Sequence, residues 1–412
     1  MGSLFVVGGL LLLAAMMTGV GVFYLLFYLV GGIHAVGWAW SGLIRRGMKV
    51  ERLLPTRVFI GETIPVRVKV TNGSFLPVPW VGLWETLPRE LSSQDVLRRA
   101  TALRPRGEAT VEYELTARKR GYYPVGPLDV QYGDVFGFRQ EESWNEEPAM
   151  VVVYPTVVPI ARLGLPSTTP LGTEKSARIL YQDPSRVIGA REYMPSDSPR
   201  MINWKVSAAR GDLFVRQTEP AVSHEVLILL DLSPAGYSSA WVDYASELAV
   251  TVAASYAAHL IEKRQSVGLA VNGVDQVATG GHLLSPTLVD ELREQRSPFV
   301  PVGKGRRHLM TLLELLARVG LLTGADMGRL LRQEAARLPW GSTLVVVTGR
   351  ADEELLAMLR GRRQGGHNVL AVFTDADEAA ESVAAARASG IATRAVTDRE
   401  QLGADPGYAA VS

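Results

Sequence analysis

The stretch Arg191–Ser233, REYMPSDSPRMINWKVSAARGDLFVRQTEPAVSHEVLILLDLS, joins two differently patterned halves of the chain and ends on its clearest buried strand. Val226 to Leu230 is continuously apolar and stops at Asp231. A short apolar run, bounded by polar residues and followed by a helix pattern, marks an interior parallel strand, whose carboxyl end is where α/β sheets hold ligands. Upstream, Arg191, Arg200, Lys205, Arg210 and Arg216 recur among Glu192, Asp197, Asp212 and Glu219, with Tyr193 and Trp204 as the large rings. Two readings of this run stay open. One is a solvated face of Arg–carboxylate pairs, each contributing about 0–1 kcal/mol. The other is a docking surface that includes Arg191, Tyr193, Asp197 and Arg216, with Trp204 backed by Arg200 and Arg210 as its anchor, because Trp and Arg dominate interface hot spots.

Beyond this stretch, over residues 224–412, strand and helix patterns alternate. Trp241, Ala245, Leu248, Val252, Tyr256 and Leu260 are helix-spaced, and Ser238 or Ser239 can cap that helix. SVGLAVNG, GSTLVVVTG, HNVLAVFTD and IATRAVT read as further strands. Between them lie helical stretches His308–Val319, Met327–Leu338 and Ala351–Arg363, the last closed by Gly365-Gly366, and one ending at Ser389 before Gly390. The alternation predicts a doubly wound, mostly parallel α/β sheet covered on both faces.

Working back from Arg191, residues 166–223 read as a connector, extended and rich in Pro, Ser and Thr from Pro166 to Gly172. Residues 50–165 alternate instead. VRVKVTNGS puts Val66, Val68 and Val70 on one face, Arg67 and Lys69 on the other, and stops at Asn72-Gly73. ATVEYELTA, YYPVGPLDVQYGD and AMVVVYP repeat the pattern, which predicts an antiparallel β-sandwich of immunoglobulin-like type. Leu91 to Leu103 reads as a polar excursion, a long loop or a single helical turn. Tyr122, Tyr123, Tyr132, Phe136 and Phe138 read as core filling and strand-edge packing rather than a binding surface.

Residues 1–47 are the expected membrane anchor. From Leu4 to Ile44 no side chain is charged apart from the titratable His34. As helix that run extends roughly 60 Å, about twice a hydrocarbon core. Two solutions fit: one span near Gly8–Gly32 continuing into an interfacial segment with Trp38 and Trp40, or two short helices turning near Thr18–Gly21. Arg45, Arg46, Lys49 and Arg52 follow the tryptophans, so both solutions place the large carboxyl-terminal part in the cytoplasm. A cleaved signal peptide fits less well, since no basic segment precedes an apolar run too long for it.

Composition removes several classes. A formal charge of +1 gives no footprint for nucleic acid. With no cysteine there is no disulfide, thiolate nucleophile or Cys-ligated zinc. The chain has no GxSxG, HExxH or P-loop, and its six histidines are scattered without partners at ligand spacing.

The Asp-x-Ser at Asp231–Ser233 resembles the von Willebrand factor type A fold, whose Asp-x-Ser-x-Ser supplies oxygen ligands to a divalent cation such as magnesium. Here the second serine position is Ala235, and Thr348-Gly349-Arg350 puts a cation where that fold offers an Asp. Asp231 and Ser233 are thus the remnant of a ligand set, and no cofactor is expected, with magnesium as the weaker alternative. The whole arrangement resembles the uncharacterised bacterial family catalogued as domain of unknown function fifty-eight: membrane anchor, β-sandwich, Arg-Glu-Tyr to Val-Arg signature, type A-like domain. The signature residues are Arg191, Tyr193, Pro195, Asp197, Arg200, Ile202, Trp204, Ser207, Ala208, Arg210, Leu213, Val215 and Arg216. The family's Gly-Asp-Asp is Ser196-Asp197-Ser198 here, and its Ser-Ala-Arg is stretched by Ala209. The resemblance implies a MoxR-type AAA+ ATPase as partner.

The sequence thus leads to a membrane-anchored, non-enzymatic interaction or scaffold protein with its large part cytoplasmic. Two alternatives belong to other classes: an enzyme with a hydrolytic or transfer site at Asp197, Arg200 and Arg210, and a cation-dependent adhesin. The first requires those side chains to converge in a pocket.

Overall fold

The structure is a computed structural model that describes residues 2–133, 140–160, 182–194, 197, 199–220, 225–277 and 297–403. The connector at 166–172, Phe136, Phe138 and the side chain of Arg200 lie outside the described parts. It is a mixed α/β, multidomain chain whose two compact units are Met1–Pro155 and Thr156–Ser412.

The first unit begins with helices α1 (Gly2–Thr18) and α2 (Gly21–Gly47), which lie in contact. The helix breaks at Gly19, whose φ of 64° is the left-handed conformation that ends helices. Among the described residues α2 alone is long and apolar enough to cross a membrane. Ten strands follow: β1 (Met48–Leu53), β2 (Arg57–Phe59), β3 (Thr63–Asn72), β4 (Val78–Thr86), β5 (Val96–Leu103), β6 (Glu108–Thr116), β7 (Gly121–Val125), β8 (Leu128–Gly133), β9 (Gln140–Glu146) and β10 (Ala149–Tyr154). They form sheets of order β1-β3-β6, β2-β10-β7 and β5-β4-β8-β9, antiparallel except for β2 with β10.

One apolar core is shared by all three sheets, with Val66, Val68, Val70, Leu83, Val130 and Val151 among its buried members. Each such side chain contributes about 1.5–3 kcal/mol on burial. Opposite the valines, Arg67 and Lys69 pair across strands with Glu112 and Glu108 at 2.6 and 2.7 Å. Residues 96–103, expected in a loop or helical turn, are strand β5. It lies at a sheet edge, where only Leu97 and Leu103 are buried, so no alternation marks it. Tyr132 is buried, and the Tyr123 hydroxyl donates to Arg120 O at 2.8 Å. Deeper still, Arg52 Nη1 meets Glu85 Oε1 at 2.7 Å and donates to Val125 O, while the Tyr113 hydroxyl donates to Glu85 Oε2.

The second unit opens with β11 (Gln182–Glu192), α3 (Trp204–Arg210) and β12 (Phe214–Pro220), in which β11 and β12 pair antiparallel. Then come β13 (Glu225–Asp231), α4 (Val242–Glu262), β14 (Ser266–Asn272), β15 (Val274–Asp275), β16 (Phe299–Gly303), α5 (Arg306–Arg318) and β17 (Val319–Gly320). The remainder is α6 (Met327–Ala335), β18 (Thr343–Thr348), α7 (Glu353–Gln364), β19 (Asn368–Phe373), α8 (Ala379–Ala388), β20 (Ala392–Ala395) and α9 (Glu400–Gly403). The central sheet has order β16-β14-β13-β18-β19-β20 and is parallel except for the edge strand β16. Leu227, Leu229, Leu344, Val346, Ala371 and Phe373 on one face join a core with α6, α7 and α8, and α4 packs on β13, β14 and β18. Both faces are covered, so each strand reads as an unbroken apolar run rather than an alternating one.

Candidate functional site

Parallel register gathers the polar ends of three apolar strands. Asp231 pairs with Asn272 in β14, and Leu230 with Val347 in β18, so Thr348 arrives beside Asp231. Asp231 Oδ1 accepts from Ser233 N and Asn272 Nδ2, both at 3.0 Å, and Oδ2 lies 2.9 Å from Thr348 Oγ1. Asp231 is only 4% exposed. Its burial pushes the carboxyl up from the usual carboxylate range, against the pull of its three donors and with a further push from Asp352.

The turn Pro234–Gly236 closes over this carboxyl. A Cβ on Gly236 would stand 2.5 Å from Asp231 Oδ2, so only glycine lets the backbone lie so near. Gly349 permits the same approach from the other side, since its Cβ would stand 2.5 Å from Gly236 O. Arg350 then fastens the turn: its backbone N–H donates to Gly236 O at 2.9 Å and its Nε–H to Ala235 O at 3.1 Å. The Tyr237 hydroxyl donates to Asp231 O.

Neither Ser238 nor Ser239, the two expected caps of α4, caps it, and Ser238 is engaged elsewhere. Its backbone N–H donates to Asp375 Oδ2 at 2.6 Å and its hydroxyl lies 3.3 Å from Oδ1, while α4 starts at Val242 without a side-chain cap. The buried acceptor at the end of β19 outcompetes a helix end that water can reach. Beside the turn is a cleft of 270 Å³, lined among others by Asp231, Ser233, Asp326, Arg350, Asp352 and Glu354. Among the described residues no group of three or more His, Cys, Asp or Glu is placed to hold a metal ion.

The charged signature is a separate structure within the same unit. Arg191 and Asp197 form a two-pronged pair, Nη2–Oδ1 at 2.6 Å and Nη1–Oδ2 at 2.7 Å. The Met194 N–H also donates to Asp197 Oδ2, at 2.9 Å. The Arg191 guanidinium first, and then this backbone donor, hold the Asp197 carboxyl below its ordinary range. Tyr193 N donates to Leu213 O at 2.8 Å, tying the loop to the residue that leads into β12. Asn203 Oδ1 caps α3 through Val206 N, and Ser207 Oγ accepts from Phe214 N at 2.8 Å.

Arg210 lies over the Phe214 ring, 5.4 Å from its centroid, and Arg216 is exposed on β12. Arg200 has its backbone in the turn Pro199–Met201. Trp204 projects from the first turn of α3, 67% exposed, and Met194 and Leu213 are also exposed large apolar side chains. Asp197 and Arg210 therefore have different partners, and Asp231 with Ser233 forms a second, buried cluster.

Asn272 and Asp375 were absent from the sequence-derived candidates, and Thr348 stood there only as part of the position that has lost a ligand. Each follows or ends an apolar strand run as Asp231 does, and that shared position was the available signal. Gly236 carried none, because its role depends on a neighbour distant in sequence.

Comparison with known proteins adds one family. Residues 189–279, from the end of β11 past β15, match the family model described as protein of unknown function DUF58. The uncharacterized protein YeaD of Bacillus subtilis (strain 168) is 24% identical over 309 residues, which cover 73% of this chain and 70% of that protein. Among solved structures, a CARDB domain from Pyrococcus furiosus in complex with di-metal ions is 17% identical with a TM-score of 0.21, covering 26% of this chain and 91% of that one. A β-glucosidase from Listeria innocua in complex with gluconolactone is 19% identical with a TM-score of 0.18, covering 27% of this chain and 17% of the enzyme. Structural likenesses this slight carry no argument, whereas the match over 189–279 and the distant YeaD relative support the DUF58 family for this chain.

Proposed function

We propose that this chain is a membrane-anchored, non-enzymatic interaction protein that presents a von Willebrand factor type A-like domain in the cytoplasm, with a MoxR-type AAA+ ATPase as its partner. Trp204 carries the reading. A tryptophan 67% exposed on a helix held by an Asn203 cap and by Ser207 is an apolar anchor that the described residues of its own unit leave largely uncovered. The apolar helix α2 ending in Arg45 and Arg46 supports the anchor and its orientation. Three sheets sharing one core support a sandwich of immunoglobulin-like type, and the parallel-rich sheet with Asp231 at its carboxyl end supports the type A likeness. The ATPase rests on the family resemblance alone.

The surroundings of Asp231 support a metal-free site. Both carboxyl oxygens already have protein partners, the Gly236 backbone lies against Oδ2, and Arg350 holds that turn down. A resident magnesium would need a fuller oxygen set with room around it. Against an enzyme at the signature stands the separation of its charges, Asp197 bound to Arg191 and Arg210 to Phe214.

Crosslinking pull-down from solubilised membranes tests this function. Recovery of an AAA+ ATPase with the native chain, reduced with Trp204→Ala, is the expected result. Absence of any ATPase from both would overturn the assignment.

A further inference from the structure

The amino ends of the central strands carry a cluster of exposed positive charge that outnumbers Glu225 and Glu262 at the same end. β14 and β16 run antiparallel with Val267 opposite Gly303, so the residues before β14 and after β16 share one end of the sheet. These are Lys263, Arg264, Lys304, Arg306 and Arg307, all exposed, and none has an acidic partner among the described residues. His308 Nε2, 2.7 Å from Val267 O, fixes the first turn of α5 against β14. Parallel register puts the α6–β18 and α7–β19 loops at the same end, with Thr343 opposite Asn368, and these add Arg362, Arg363 and a half-exposed Trp340.

Fold stability accounts for part of this placement, since Lys263 at the carboxyl end of α4 and Arg362 and Arg363 in the last turn of α7 stand where a helix end favours cations, but not for the rest. Arg306 and Arg307 stand in the first turn of α5, which has no acidic residue, although a helix amino end is already positive and favours acids. Arg264 adopts φ 60°, a conformation in which glycine is the unstrained residue. The charges spread from β16 to β19, about 19 Å at the spacing of neighbouring strands. A broad, shallow field of cations with a tryptophan among them matches a planar anionic surface better than a single small anion.

We propose that the amino-end face of the second unit, centred on Lys263, Arg264, Lys304, Arg306 and Arg307, binds the anionic headgroups of a lipid bilayer. The proposal rests on the reading of this chain as membrane-anchored. Headgroup contact on this face leaves the opposite, carboxyl-end face with Asp231 and Arg350 open to a protein partner.

The full chain contains no cysteine, so single labels can be placed freely. Gln364→Cys at the end of α7 labels the basic face, and Ala376→Cys beyond β19 labels the opposite one; both positions are exposed. The chains are reconstituted in nanodiscs of phosphatidylcholine alone or with about one third phosphatidylglycerol, and quenching by headgroup-attached nitroxide is read. The expected result is several-fold stronger quenching at 364 than at 376 in anionic discs. It should be absent in neutral discs, lost near 1 M salt, where the Debye length falls to about 3 Å, and lost in the triple variant K304E/R306E/R307E with its melting temperature unchanged. Equal quenching in both disc types, or at both positions, overturns the proposal. So does quenching absent in discs while RNA alone shields the 364 label, which would make the face a nucleic-acid surface. A chain extracted from discs by alkaline wash fails the anchor reading; a chain retained but unquenched at 364 fails this proposal alone.

Discussion

Thr348 Oγ1 sits between two acceptors, 2.9 Å from Asp231 Oδ2 and 3.0 Å from Arg350 O. A hydroxyl has one proton, so an ionised Asp231 leaves one of these contacts unmade. With a proton on Asp231, the carboxyl donates to Thr348, Thr348 donates to Arg350 O, and Oδ1 keeps its bonds from Ser233 and Asn272. Burial favours the same protonated form.

Asp231→Asn mimics that neutral state and is expected to raise the melting temperature at pH 7. A gain of about 2–4 °C corresponds to ~1 kcal/mol in a unit of this size. The folded pKa lies above the unfolded value of about 3.9. Stability from this group is therefore full below that value and is lost as pH rises through the folded pKa. The advantage of Asn should accordingly shrink toward pH 4. A variant destabilised equally at both pH values would show that Asp231 is charged in the folded protein.

Gly236→Ala drives a Cβ to 2.5 Å from Asp231 Oδ2. The overpacked turn is expected to cost about 1–3 kcal/mol by chemical denaturation. In an Asp231→Ala background the obstructing oxygen is gone, and the same substitution should cost clearly less, giving a coupling energy above about 0.5 kcal/mol. Equal costs in both backgrounds would place the strain elsewhere.

These contacts also mark where the sequence stops being legible. β13, β18 and β19 carry their own evidence, because strands buried on both faces must be apolar throughout. β5 does not: its VLRRATAL buries two residues at a sheet edge and looks like a polar loop. Asp231 stood out as the polar end of an apolar run, but its partners Asn272 and Thr348 lie 41 and 117 residues away, joined by register alone. In the signature, the spacing of Arg191 and Asp197 was visible, while the ring under Arg210 depended on β12 folding back to place Phe214 there.

In the first unit, Arg52 and Glu85 are 2% and 1% exposed at their side chains, and the Tyr113 hydroxyl also donates to Glu85. Glu85→Ala strands the Arg52 guanidinium in the core. Removing one partner of a buried pair costs about 3–5 kcal/mol, so unfolding should begin at lower denaturant and amide exchange should quicken in β4 and β8. Exchange in β13 and β18, which belong to the other unit's core, should not change.

Asp197→Asn removes the charge that Arg191 grips and weakens the acceptor of the Met194 N–H. Exchange at the Met194 amide is expected to quicken several-fold while the melting temperature stays put, as for an exposed ion pair. Since Arg191 depresses the Asp197 pKa, the native contact is present above the unfolded carboxylate pKa and is lost as pH falls through the lower, folded one. Met194 protection in the native chain should thus hold from neutrality down to mildly acidic pH and fail only in strong acid.

Trp204 separates packing from recognition. Its side chain is 67% exposed, so Trp204→Ala should move stability by no more than about 0.5 kcal/mol, the usual range for a surface change. Asn203→Ala, one residue earlier, removes the cap that accepts from Val206 N and should cost about 1 kcal/mol by loosening α3. If Trp204 anchors a partner, its loss reduces ATPase capture in a chain as stable as the native one. The cap variant keeps the indole and should capture in proportion to the fraction of α3 still folded. Parallel melting curves and pull-downs on both variants give the comparison. A Trp204→Ala chain that captures normally removes the anchor, and one that melts early makes Trp204 a packing residue instead.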